Sequence, residues 1–167
     1  MADDVFRPLD SPWTGVSSAL STELRIVVTA PLALGAAAVA AAVLLLGVPD
    51  WLRWAGLAVA AVLLVAAAWS WPWAERHRRS IGYAEQDDDL LVTRGVMFRR
   101  LVAVPYGRMQ YVEVSANPVE RRLGIATVSL HTASTETAAG IRGLAADEAR
   151  RLRNRLTELG EAHGAGV

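Results

Sequence analysis

No cysteine occurs among the 167 residues, which excludes disulfides, thiol nucleophiles, zinc ribbons and iron–sulfur ligation, so compartment has to be argued from topology. Lysine is absent too: every one of the 17 basic side chains counted beside histidine is arginine. We read that chiefly as compositional bias, although arginine is the better bidentate partner for phosphate. Formal net charge is zero, with fourteen arginines against twelve carboxylates from Ala74 onward and two against four in residues 1–25. Nucleic-acid binders carry a basic excess that this chain lacks, so no nucleic-acid partner is expected. The three histidines, His77, His131 and His163, share no metal-ligand spacing. There is no phosphate-cradling glycine loop, nucleophile elbow or dinucleotide fingerprint. Ser129-Leu130-His131 sets Ser and His on one side of a strand without an acid partner, which reads as decoration of a solvent face. Asp87-Asp88-Asp89 reads as a solvated turn and not as a metal site. No catalytic, cofactor-binding or metal-binding residue is assigned, and the chain is not expected to be an enzyme.

Charge is also missing from two long stretches, Ile26 to Val48 and Trp54 to Trp73, parted only by Pro49-Asp50-Trp51-Leu52-Arg53. Each reaches the roughly 20 residues that a helix needs to cross a hydrocarbon core about 30 Å thick. The rest of the chain is too short to wrap two such helices as a soluble core. A cleaved signal peptide would have a shorter apolar part closer to its start. Tryptophan favours the headgroup boundary. Trp51 and Trp54 flank the turn, and Trp69, Trp71 and Trp73 gather where the second run ends. Arg76, Arg78 and Arg79 follow at once and Arg25 precedes the first run, so both termini are expected on the cytoplasmic side of the plasma membrane. Ala33, Ala37 and Ala41, with Gly56 and Ala60 opposite, allow close helix approach. Before the spans, Met1 to Asp10 reads as a frayed tail. Ser11-Pro12 reads as a helix start, and Leu9, Trp13, Val16, Leu20, Leu24 and Val27 form one helical stripe, suited either to the membrane interface or to packing on the soluble part.

After Arg79 the pattern becomes alternating and turn-punctuated. Strands are expected near Ile81–Gln86, Leu90–Arg94, Val96–Val104, Met109–Ser115, Thr127–Ala133 and Ala139–Arg142, with a tight hairpin at Arg94-Gly95. Asn117-Pro118 breaks a strand, and Val119 to Leu123 makes one helical turn stopped by Gly124. The chain closes with a helix over Ala146–Leu159 whose apolar face is Ala149, Leu152, Leu156 and Leu159, with Gly160 as its stop. The fold class is α+β. Residues 1–25 form a tail and juxtamembrane segment, 26–73 a transmembrane hairpin (26–48 and 54–73), and 74–167 an antiparallel sheet of about seven short strands capped by one C-terminal helix.

Pro105-Tyr106-Gly107-Arg108-Met109-Gln110-Tyr111-Val112, Asn117 to Val128, Thr132-Ala133 and Ile141-Arg142-Gly143-Leu144, together with the hairpin, resemble the YdbS-like bacterial pleckstrin-homology-like membrane proteins from about Trp13 to Leu159. Met109 stands where that family usually has Ile. The resemblance implies a cytoplasmic PH-like domain on a membrane anchor, often working with a larger integral membrane protein that carries several such domains. The expected function is therefore a non-catalytic interaction or scaffold module whose partners are the lipid bilayer and another membrane protein, self-association being compatible with the same reading. Tethering raises its effective concentration for those partners. Arg99, Arg100, Arg121 and Arg122 are the candidate contact surface, although turn chemistry alone explains most of the Asn117–Gly124 segment. An anionic-lipid sensor using Arg76, Arg78, Arg79 and surface arginines is the alternative, and an envelope-stress or export accessory a third.

Overall fold

The computed structural model describes residues 12–132 and 139–164. The expected tail at Met1–Asp10, Ser11 as a cap, Leu9 and the strand end at Ala133 lie outside them, as does the side chain of His163. Within them the chain runs β1 (Thr14–Gly15), α1 (Ala19–Leu45), α2 (Asp50–Arg79), β2 (Gly82–Glu85), β3 (Asp89–Arg94), β4 (Arg100–Pro105), β5 (Met109–Ser115), α3 (Pro118–Arg122), β6 (Ile125–Thr132), β7 (Ala139–Ala145) and α4 (Ala146–Gly164). Two compact units result, one holding Ser21–Glu75 and the other the residues through Leu20 together with those from Arg76 on.

The helical unit is α1 and α2 folded back at Leu46–Pro49, where Gly47 takes a positive φ of 60°. Both helices are long and apolar enough to cross a membrane. At 1.5 Å per residue they are roughly 40 and 45 Å long, more than a hydrocarbon core requires. Leu34, Leu64, Val62 and Val65 are exposed along their outer faces. The inner seam is small. Gly56, Ala60, Leu63, Ala67 and Ser70 are spaced four, three, four and three, the repeat that keeps one stripe of a helix against a neighbour. Thr29 Oγ1 lies 3.2 Å from Ser70 Oγ, the Gly35 position meets Leu63, and Val43 fills the space over Gly56. Residue numbers rise along α1 as they fall along α2, so the pair is antiparallel. Ala36 is buried, whereas Ala37 and Ala41 are exposed. The expected Ala33, Ala37 and Ala41 stripe is thus rotated by about one residue, because the Thr29–Ser70 contact and the Val43–Gly56 fit set the helix rotation.

The second unit is a sandwich of two antiparallel sheets, β1-β2-β3-β4 and β5-β6-β7. Leu90, Val92 and Val104 from the first sheet and Ile125, Val128, Leu130, Ile141 and Leu144 from the second are buried between the layers, with Tyr106 in the turn joining them. Helix α4 closes the core with Ala149, Leu152 and Leu156, all fully buried. Burial of each leucine contributes about 1.5–3 kcal/mol. Leu159 is only half-buried, and Gly160 does not stop the helix, which continues to Gly164. A Cβ at Gly160 would sit 3.6 Å from the Met109 terminal methyl, an ordinary contact distance, so the position lies against the start of β5. The expected strand from Val96 begins only at Arg100. Residues 95–99 are spent on the hairpin tip, where Gly95 has φ 108° and a Cβ would lie 2.0 Å from the Phe98 carbonyl oxygen.

The region before the spans departs most from expectation. No helix begins at Pro12; Thr14 and Gly15 instead pair with Tyr83 and Gly82 as the edge strand of the four-stranded sheet. Helix α1 starts only at Ala19, whose N–H donates to Ser17 Oγ at 3.2 Å. Val16 and Leu20, which the helical stripe had grouped, are both buried. Ser17 N–H donates to the Gly143 carbonyl at 2.9 Å, and Arg78 Nη1 donates to the Val16 carbonyl at 3.3 Å. Gly143 has φ 76°, and a Cβ there would meet Leu20 Cβ at 2.6 Å. It sits where the β6–β7 register slips between Ala126 and Val128, a bulge that opens room for Leu20.

Candidate interaction surface and basic cavity

Helix α3 shows how a short turn presents two arginines. Asn117 Oδ1 accepts from Glu120 N–H and Glu120 Oε2 accepts from Asn117 N–H, both at 2.8 Å, while Pro118 opens the helix. This reciprocal cap satisfies two end donors that the five-residue helix could not satisfy itself. Glu120 is buried and also accepts from Thr127 Oγ1 at 3.1 Å. Arg121 and Arg122 point outward and are exposed. Capping therefore accounts for Asn117, Pro118 and Glu120, but not for the two arginines.

Arg99 and Arg100 belong to a different place, the β3–β4 hairpin. Arg100 is paired directly with Arg94 at the last register position of that ladder. Both line a cavity of about 630 Å³ together with His77, Ile81, Phe98, Thr127, Gly140 and Arg142. Arg121 and Arg122 are not among its lining residues. Three guanidinium groups and one imidazole thus face one space whose lining has no carboxylate. Beyond it stand Val96, Met97 and Phe98, the last two 83% and 82% exposed. Such a pocket can take an anion with an apolar neighbour. Arg142 and Arg94 escaped the sequence reading because β3 and β7 bring them together only in the fold. Arg142 stands beside the β7 bulge, where one residue too many for the ladder re-aims the strand.

Trp51 and Trp54 are exposed in the first turns of α2, and Trp69, Trp71 and Trp73 are exposed in its second half. The Arg25 guanidinium stacks over Trp71 at 5.3 Å from the ring centroid, a cation–π contact. Arg76, His77, Arg78 and Arg79 form the last turn of α2, where positive charge complements the helix dipole.

His131 does have an acid neighbour, contrary to the local reading. Its Nε2 lies 3.3 Å from Glu113 Oε2 on the adjacent strand, and its ring stacks on Tyr111 at 4.2 Å. Both partners are substantially exposed, and Ser129 makes no hydrogen bond to the ring. This is a cross-strand surface cluster. The Asp87–Asp89 segment forms the β2–β3 turn, where Gln86 N–H donates to the Asp89 carbonyl and Tyr106 N–H to the Asp88 carbonyl. Among the described residues no three His, Asp or Glu side chains converge as metal ligands.

The family model for the bacterial PH domain matches residues 23–160. The chain belongs to that family. No curated protein and no solved structure matches it. In this bacterial PH domain protein the match takes in α1 and α2 as well as β2 through most of α4, while β1 lies before it.

Proposed function

We propose that this bacterial PH domain protein is a non-catalytic, membrane-anchored interaction module of the YdbS-like kind, with α1 and α2 spanning the plasma membrane and the sandwich in the cytoplasm. The observation that carries the reading is the unpartnered apolar outer surface of two antiparallel helices, each long enough to span, followed at once by Arg76, Arg78 and Arg79. Family membership supports an interaction role over catalysis. Anchoring confines the sandwich to a layer near the bilayer, so weak contacts through Arg121 and Arg122 to another integral membrane protein suffice. Alkaline carbonate washing is expected to leave the chain in the membrane pellet, and protease outside intact cells to spare the sandwich. In-cell crosslinking is expected to capture a second membrane protein or a second copy. Release by carbonate, or digestion from outside, overturns the anchoring or its orientation.

A second reading, sensing of anionic lipid, is favoured by the carboxylate-free cavity of Arg94, Arg100 and Arg142. Near a charged leaflet each such side chain is worth about 1 kcal/mol.

A further inference from the structure

Arg94 and Arg100 occupy directly opposed positions on neighbouring strands. Like charges so placed repel and weaken a ladder. Arg142 and His77 add to the same basic space, and no carboxylate lines it. The tip that this pair closes is Val96-Met97-Phe98, three apolar residues of which two are almost wholly exposed. Gly95, which no side chain can replace without striking the Phe98 carbonyl, fixes the tip in its tight turn. An apolar tip with a basic collar is an arrangement suited to a bilayer with negative headgroups, where the tip leaves water and the collar meets phosphate. His77, in the last turn of α2, also lines the cavity.

We propose that the β3–β4 hairpin is a second membrane contact of this protein, in which Met97 and Phe98 enter the headgroup layer of an anionic bilayer while Arg94, Arg100 and Arg142 hold lipid phosphate in the cavity behind them. The proposal rests on the anchoring by α1 and α2 and deepens the lipid-sensing reading by naming its site. Phosphate between Arg94 and Arg100 turns a repulsive pair into a bridged one.

The test uses the full chain reconstituted into vesicles, where the absence of cysteine makes single-site labelling clean. A spin label on Val96→Cys reports the tip while leaving Met97 and Phe98 in place, and one on Thr157→Cys, exposed on α4, is the aqueous reference. With phosphatidylglycerol present, collision of the Val96 label with a water-soluble nickel complex is expected to fall several-fold relative to phosphatidylcholine alone, and collision with oxygen to rise. The Thr157 label should not change. Adding Met97→Ser and Phe98→Ser, or Arg94→Gln and Arg100→Gln, should abolish the difference. A Val96 label equally exposed to nickel in both vesicles overturns the proposal, as does protection that survives the serine pair or appears equally in detergent, which would mean that protein covers the tip. Carbonate resistance of the same samples is read separately, so failure of the tip contact is distinguishable from failure of the anchor.

Discussion

Tyr83, buried on β2, donates its phenolic hydrogen to the Glu148 carboxylate in the first turn of α4. The same carboxylate accepts from Arg151 at 2.7 and 2.9 Å, and Arg151 reaches Glu85 at 2.5 Å. The edge-side strand β2 and the capping helix are thereby tied through one charge-assisted chain.

This chain makes stability depend on acid. Hydrogen bonds from Arg151, and secondarily from Tyr83, hold the Glu148 carboxyl below its ordinary value against the opposing effect of burial. A folded-state value below the unfolded one contributes stability above the unfolded carboxylate range, near 4, and that contribution is lost as pH falls through the folded value. Glu148→Gln is expected to flatten the acid limb of a plot of Tm against pH, at a cost near neutrality of about 1 kcal/mol for this partly screened group. An unchanged acid limb refutes the coupling.

Burial, and next the charges of Glu85 and Asp89, push the Tyr106 phenol up to about 12, while its hydroxyl donates to the Gln86 carbonyl at 2.9 Å. Tyr83 is likewise raised, first by burial and then by Glu148. Folded-state values above the unfolded one, near 10, mean that both contributions persist below pH 10 and fade as pH rises further. Phenolate absorbance is therefore expected to show two tyrosines that ionise only with alkaline unfolding. Ionisation of Tyr83 and Tyr106 ahead of unfolding would refute it.

Gly143→Ala should be among the most damaging single substitutions in the sandwich. It forces a side chain into φ 76° and drives a methyl into Leu20. The combined strain and overpacking cost about 2–4 kcal/mol. Leu20→Gly removes the Cβ that the new methyl strikes and should therefore cost less Tm in the Gly143→Ala background than in the parent, a coupling that a purely conformational effect would not show.

In the helical unit a Cβ at Gly56 would lie 2.4 Å from a Val43 methyl. Gly56→Leu is therefore expected to part α1 from α2 near the turn. Thr29→Cys with Ser70→Cys, replacing hydroxyls 3.2 Å apart, should form a disulfide readily in the parent and more slowly when Val43 is also enlarged to Phe. Equal rates would argue against the antiparallel seam.

Removing the residues through Gly15 deletes β1, and with it a pairing partner of Tyr83 and Gly82. The truncated chain is expected to lose stability in the sandwich and not in the helices, measured as earlier exchange of β2 amides. Unchanged β2 protection would refute the pairing.

What could be read from the residues follows from range. Run length alone marked α1 and α2, because a charge-free stretch needs no knowledge of its neighbours. Alternation placed β5 at Met109–Ser115, and the Asn117-Pro118 break foretold α3. Local signals failed where a distant partner decides. Thr14 and Gly15 have no strand pattern and become one only because Tyr83 and Gly82 offer an edge. Gly160 has the chemistry of a helix stop, yet α4 runs past it to Gly164. Of the basic cavity only Arg100 was singled out, since Arg94 reads as a turn residue, His77 as part of a basic flank and Arg142 as an ordinary strand position.

The pairing of β1 with β2 also has a temporal side. Ribosomes emit β1 first, then α1 and α2, and only afterwards the strand against which β1 must lie. Until β2 arrives, Thr14, Gly15, Val16 and Leu20 have neither ladder nor core to join, and Gly143, the seat for Leu20, comes later still. Closure of this sheet edge is thereby made contingent on synthesis of both helices and of the strands after them, so that a nascent chain halted before β2 would carry an unfinished head.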